Sequence, residues 1–188
     1  MASINLNAVR SNPDSIVIVD DPFPDWVHKT IESQSRMVPW TLRQNLVFGN
    51  EEVLFTYISY VDGENLLDHL HSNIFFSNAF SGVINQCSPR EQDSTLRVQG
   101  IRWNCLIKGF DANLHHDHPD DSCVTCVYFV NDGDGDLVFY ENDQTTEIKR
   151  CEFKKGRAVI FPSTIFHRAF APTQHSFRIT LAAQYFKD

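Results

Sequence analysis

At 188 residues the chain has the length of one domain with room for a sizeable core. Its 16 Lys and Arg against 24 Asp and Glu leave a formal net charge of −8. An acidic surface repels phosphate backbones and anionic lipid alike, so neither nucleic acid nor membrane is an expected partner. A hydrophobic share of 42% with 15 Phe also excludes a disordered chain.

No apolar run approaches the roughly 18 residues of a membrane span. Residues 1–12 mix Asn, Arg and Ser with isolated apolar side chains, unlike a signal peptide. Cys87, Cys105, Cys123, Cys126 and Cys151 form an odd set without secretory context, so thiols in a reducing, cytoplasmic compartment are expected. No repeat or linker is visible, and residues 1–188 read as a single domain.

Residues 15–20 (SIVIVD) are a short β-branched strand, stopped by Asp21-Pro22. A helix is expected to open at Pro24-Asp25 with Trp26, Val27, Thr30 and Ile31 inward. A second is expected over 64–83, where Leu66, Leu67, Leu70, Ile74 and Val83 recur near helical spacing. Segments 45–62 and 86–93 read as specificity loops. Residues 1–95 thus supply support helices and strands. From Leu96 the chain turns into β-rich runs: LRVQGIRWNCLIK, CVTCVYFV, DLVFY, RAVIF and SFRITLAAQYF. In the first, Ile101, Trp103, Cys105 and Ile107 alternate with Arg102, Asn104 and Leu106, which suits one oily face and one face lining a cavity. The fold class is mainly β within α+β, with 96–188 rolled into a double-sheet barrel around that cavity. Trp26, Trp40 and Trp103 are expected in the core.

The densest chemical signal is the run His115-His116-Asp117-His118. In extended chain His115 and Asp117 share one side while His116 and His118 share the other. His167 follows an apolar strand and a Pro-Ser turn. Two His and one carboxylate form a facial set that leaves one side of an octahedral metal open, suiting Fe(II), a bidentate cosubstrate and dioxygen. A zinc site of His115, His116 and His118 is the competing reading. Arg178 shares a face with Thr180, opposite Phe177, Ile179 and Leu181, on a strand expected to pair with the one carrying His167. Its guanidinium then points into the barrel, where it needs an anion.

HxD (His115, Asp117), then His167, then Arg178 followed by xT resembles the 2-oxoglutarate and Fe(II) dependent dioxygenases. The runs CVTCVYFVN, GDLVF and GRAVIF are similar to the prolyl 4-hydroxylase branch. The resemblance spans about residues 97–186. It implies a double-stranded β-helix (jelly-roll, cupin-like) barrel in which His115, Asp117 and His167 hold Fe(II). Arg178, assisted by Thr180 and Asn104, would hold 2-oxoglutarate, with O2 as the oxidant and ascorbate as an accessory reductant. The implied reaction hydroxylates a prolyl residue of a peptide or protein. The alternatives are a small-molecule hydroxylase and a non-catalytic binding module on the same barrel. Leu106 and Phe129 stand where oxygen-sensing members place tyrosines, and Gln184 stands where the nucleic-acid demethylases carry a second Arg.

Cys123 and Cys126 read as core thiols rather than a zinc pair. Asp132, Asp134 and Asp136 with Gly133 and Gly135 read as an acidic hairpin turn. Asp111, Asp120, Asp121, Asp132 and Asp134 are expected to rim the cavity. His116, His118 and His175 are expected to be exposed or to support the site from outside.

Overall fold

The computed structural model describes residues 12–47, 50–61, 64–65, 70–87 and 95–187. In chain order these form β1 (Val17–Asp20), α1 (Asp25–Ser35), β2 (Thr41–Val47), β3 (Asn50–Val61), β4 (Glu64–Asn65), α2 (Leu70–Cys87), β5 (Leu96–Ile107), β6 (Cys123–Phe129), β7 (Leu137–Tyr140), β8 (Glu147–Cys151), β9 (Arg157–Pro162), β10 (Phe166–Ala169) and β11 (Phe177–Lys187). The strands make two antiparallel sheets, neither closed on itself. The larger runs β1-β9-β6-β11-β5-β3-β2 with β4 on β3, and the smaller runs β10-β7-β8. No helix among the described residues is long and apolar enough to cross a membrane.

The larger sheet is buried on both sides along β6, β9 and β11, and strand alternation sorts its residues into two cores. On the outer face, Ile101 and Trp103 of β5 and Leu181 and Tyr185 of β11 meet Val27 and Ile31 of α1 and Phe76, Phe80, Val83 and Ile84 of α2. On the inner face, Val127, Phe129, Val159 and Phe161 meet Leu137, Phe139, Cys151 and Phe153. The inner layer is the jelly-roll interior in which the candidate site lies.

Pro24 in extended conformation admits α1, and Asp25 places a carboxylate in its first turn, where the helix dipole favours negative charge. Its buried face is Val27, Ile31 and Ser35, at spacings of four. The expected inward Trp26 is instead 61% exposed, because it sits one step round the helix and rests on Phe75 of α2 at 5.9 Å. Trp103 is buried and Trp40 half-buried. In α2 the Phe residues set the phase: Phe76, Phe80, Val83 and Ile84 face the sheet, which turns Ile74 outward. The helix begins at Leu70 rather than 64, and Leu66 and Leu67 lie outside the described residues.

Segment 45–62, expected as a loop, is largely strand. β2 and β3 pair from Thr41↔Thr56 to Val47↔Asn50 and join the sheet edge through β5. The expected pairing between the strands of His167 and Arg178 is also corrected. β10 pairs with β7 in the small sheet, whereas β11 lies between β5 and β6 in the large one. Alternation fixes which face a residue takes but not which strand lies beside it. The Asp132–Asp136 stretch is likewise no hairpin turn, since β6 and β7 belong to different sheets and this segment crosses between them.

Candidate metal centre

The segment carrying His115 and Asp117 is laid against β10 and the turn before it. His115 and His167 exchange both backbone hydrogen bonds, N–H to O at 3.1 and 2.8 Å. The Asp117 and His118 amides both donate to Ser163 O, at 2.9 and 3.1 Å. This ribbon brings His115, Asp117 and His167 together so that one ligand atom of each lies within 4.8 Å of the others. His116 and His118 diverge, their rings edge-on to Phe166 and Phe186. The competing trio of His115, His116 and His118 is therefore not brought together.

Both imidazoles are oriented by backbone. His115 Nδ1–H donates to Asn113 O at 2.8 Å and His167 Nδ1–H to Ile165 O at 3.0 Å, leaving each Nε2 as a lone-pair donor. Those Nε2 atoms lie 3.7 and 3.8 Å from Asp117 Oδ1 and Oδ2. Burial pushes His167 down to about 4, only partly offset by Asp117. Burial also works to raise the Asp117 carboxyl, but the His167 and His115 charges and the Thr125 hydrogen bond hold it well below the usual carboxylate range. A neutral imidazole beside an ionised carboxylate is the charge state that metal ligation requires. A His₂Asp set with a half-exposed His115, a half-buried Asp117 and a buried His167 fits Fe(II).

Two hydroxyls that the sequence reading passed over hold the carboxylate. Thr125 Oγ1 donates to Asp117 Oδ2 at 2.8 Å and lies 2.7 Å from Ser163 Oγ, and both residues are fully buried. The signal was present in β6, where Thr125 is the one hydroxyl on an otherwise apolar, inward alternation.

Arg178 is 2% exposed and lies on the inner face, as expected from alternation. One Nη donates to Gly135 O and to Phe170 O. Its guanidinium carbon lies 4.6 Å from the Phe153 ring centroid and 5.6 Å from that of Phe129. Among the described residues no carboxylate forms an ion pair with it, so the cation is caged by rings and carbonyls with its charge uncompensated. Burial pushes it down to about 10, so it remains a cation at neutral pH. Gly135 is required where it is. Its φ is +95°, and a Cβ there would stand 2.4 Å from Phe170 O, the other carbonyl that receives the guanidinium.

Thr180 and Asn104 are register partners on the next inward row. Asn104 Oδ1 accepts from Thr56 Oγ1 at 3.2 Å. Leu106 and Phe129, at 5% and 0% exposure, lie on the same inner face without hydroxyls.

Cys123 and Cys126 sit at i and i+3 on a strand, hence on opposite faces, and each is buried with its thiol pushed up by desolvation. The expected acidic rim is largely spent on structure. Asp111 pairs with Arg168 at 3.2 Å, and Asp134 accepts from the amides of Thr173, Gln174 and His175 and from the His175 ring. A separate cavity of ≈ 650 Å³ opens on the helix side of the large sheet, among Trp40, Phe55, Cys105, Phe177 and Ile179. The sheet divides it from the triad.

Residues 101–186 match the family model described as 2OG-Fe(II) oxygenase superfamily. No curated protein matches the sequence. Among solved structures the fold is shared with an oxidoreductase of the 2OG-Fe(II) oxygenase family from Burkholderia pseudomallei, at TM-score 0.72 and 13% identity over 91% of this chain and 84% of that one. It is shared with a Trichoplax adhaerens prolyl hydroxylase in complex with a hypoxia inducible factor peptide fragment, at TM-score 0.63 and 16% identity over 91% and 83%. It is shared also with the non-heme alpha ketoglutarate dependent epimerase SnoN from nogalamycin biosynthesis, at TM-score 0.65 and 11% identity over 91% and 78%. Residues 101–186 thus resemble the 2OG-Fe(II) oxygenase superfamily in sequence, and the jelly roll with its converging His, Asp and His fits the Fe(II), 2-oxoglutarate and O2 that this family uses.

Proposed function

We propose that the chain hydroxylates an unactivated C–H bond, that of a prolyl residue in a peptide or protein, with release of succinate and CO2. His115, Asp117 and His167 serve as the iron ligands. The observation that carries the reading is the convergence of two backbone-fixed Nε2 atoms and a hydroxyl-held carboxylate at the open end of the jelly roll. Bound iron and 2-oxoglutarate together supply a two-electron oxidation of carbon at the expense of O2.

The chain's own residues place and protect. His115, half-exposed, lies on the open side of the set, while His167 and Asp117 close its buried side. Arg178 offers a fixed positive charge to the far carboxylate of the cosubstrate, with the Thr180 hydroxyl on the same face beside it. The buried Phe129, Phe139, Phe153 and Phe161 keep that end of the cavity dry. Dry walls strengthen the attraction between Arg178 and a carboxylate. The assignment of a prolyl substrate rests on the resemblance of the CVTCVYFVN and GRAVIF runs. The likeness to a small-molecule epimerase favours a second reading, in which the substrate is a small molecule.

Anaerobic addition of Fe(II) and 2-oxoglutarate is expected to give a weak visible charge-transfer band, absent in Asp117→Ala. An Asp117→Ala protein that still releases succinate at the wild-type rate removes the ligand assignment. Succinate release stimulated by proline-containing peptides and not by free amino acids separates the two substrate readings.

A further inference from the structure

We propose that Arg102 recognises a carboxylate of the primary substrate, which deepens the function proposed above and rests on it. The inner face of the large sheet is a ladder of side-chain rows. Thr125, which holds Asp117, is in register with Gln184 of β11, and Gln184 with Gly100 of β5. The next row is Val127, Ala182, Arg102 and Ile58. Arg102 therefore lies one row from the residue that anchors the metal set and two strands across. At about 4.8 Å between strands and about 6.8 Å per row, that is a separation of about 12 Å in backbone, shortened by a long side chain.

Exposure changes steeply along that row. Val127 is buried, Ala182 half-buried and Arg102 exposed. The small sheet covers the β6 and β9 side, so the row runs from dry interior to open water. A substrate lying along it would have one end at the metal set and the other at the guanidinium. Gly100, on the same face, has no side chain to fill the space between.

Nothing near Arg102 on this face uses its charge. Its row neighbours Ala182 and Ile58 are apolar, and the amide oxygen of Asn104 is engaged by Thr56. Among the described residues the Arg102 side chain has no hydrogen bond or ion pair. Other cations on inward positions are placed differently: Arg97 stacks on Phe186 at 5.1 Å, Arg178 is buried, and Arg43 lies two rows away on β2 at the sheet edge. Arg178 already answers the cosubstrate's far carboxylate from the opposite end of the ladder. Of the acidic residues expected at the rim, Asp111 and Asp134 are committed to loop contacts. The exposed charge on this row is positive, and its natural complement is a carboxylate, from an acidic side chain of a peptide or from a free small acid.

The test uses protein loaded anaerobically with Fe(II) and 2-oxoglutarate. Its probes are two matched pairs: a fluorescein-labelled proline pentapeptide with glutamate on both sides of proline against its glutamine counterpart, and free proline against prolinamide by competition. The expected result is that wild type binds the carboxylate member of one pair about tenfold more tightly or better. Arg102→Gln abolishes the preference, Arg102→Lys retains part of it and Arg102→Glu inverts it. The pair that responds identifies the source of the carboxylate. Absence of a preference in both pairs, or its survival in Arg102→Gln, overturns the inference. So does a loss of 2-oxoglutarate binding in Arg102→Gln, which would assign the residue to the cosubstrate instead. The charge-transfer band of the same wild-type sample keeps the two readings apart: without the band the metal and cosubstrate reading fails, and with the band but no preference only the Arg102 reading fails.

Discussion

Thr125 has one hydroxyl proton, and where that proton goes sets the direction of a short relay. Donation to Asp117 Oδ2 at 2.8 Å leaves Ser163 as the donor in its 2.7 Å contact with Thr125. Ser163 also receives the Asp117 and His118 amides on its carbonyl, so one residue fixes both the backbone and, through Thr125, the side chain of the carboxylate ligand. A ligand whose lone pairs are already aimed binds metal without the entropy of finding its rotamer. Thr125→Val keeps the shape and removes the proton. Its metal affinity, read by titration with Co(II), is expected to fall by about 10–100-fold, with recovery in Thr125→Ser. Equal affinities in Thr125→Val and wild type would show that packing alone aims Asp117. Arg178, at the far end of the inner face, illustrates the opposite case, a cation positioned by carbonyls and rings while its charge stays available.

At the scale of elements, two joints hold the support layer. Phe80 is fully buried between α2 and the sheet, touching the Phe23 and Tyr128 rings at 5.7 and 6.2 Å. Phe80→Ala is expected to cost about 3–5 kcal/mol in denaturant unfolding. On β1, Asp20 accepts from Arg157 at 2.6 Å and Lys154 at 2.9 Å, and these partners hold its carboxyl well below the ordinary range. Because the folded value is depressed, the pair's contribution is complete above about pH 4 and is lost as pH falls further. Asp20 is 40% exposed, so Asp20→Asn is expected to cost only about 0.2–1 kcal/mol at pH 7, with the difference from wild type closing on acidification. The strands β5, β6, β7, β9 and β11 were legible because each alternates or runs apolar between turn residues. The β2–β3 hairpin was not, because Arg43, Gln44, Asn45, Glu51 and Glu52 make an edge hairpin look like polar loop. The phase of α2 was misread because Leu and Ile were weighted above Phe. His115, Asp117, His167 and Arg178 were legible because polar groups on inward positions are costly without a role. Thr125 and Ser163 follow the same logic, but a hydroxyl costs less to bury than a charge and stood out less.

For the molecule as a whole, the candidate site lies across the seam between its two sheets. His167 is on β10 of the small sheet, and Asp117 is held by Thr125 on β6 of the large one. At the other end of the interior Arg178 of β11 reaches carbonyls that flank β7 and β10. Metal at one end and a dicarboxylate at the other would each join the two sheets. Because both bind the folded chain and not the unfolded one, they stabilise it by mass action, about 2.7 kcal/mol for a ligand at a hundred times its dissociation constant. Mn(II) avoids turnover in this measurement. Wild type is expected to show a rise in melting temperature with Mn(II) and a second rise when 2-oxoglutarate is added. Arg178→Met replaces the buried cation with an apolar chain of similar length, and it should keep the first rise and lose the second. His167→Ala should lose both, since without the metal the cosubstrate has only its far carboxylate to hold it. A second rise that survives in Arg178→Met would place the cosubstrate's anchor elsewhere in the interior.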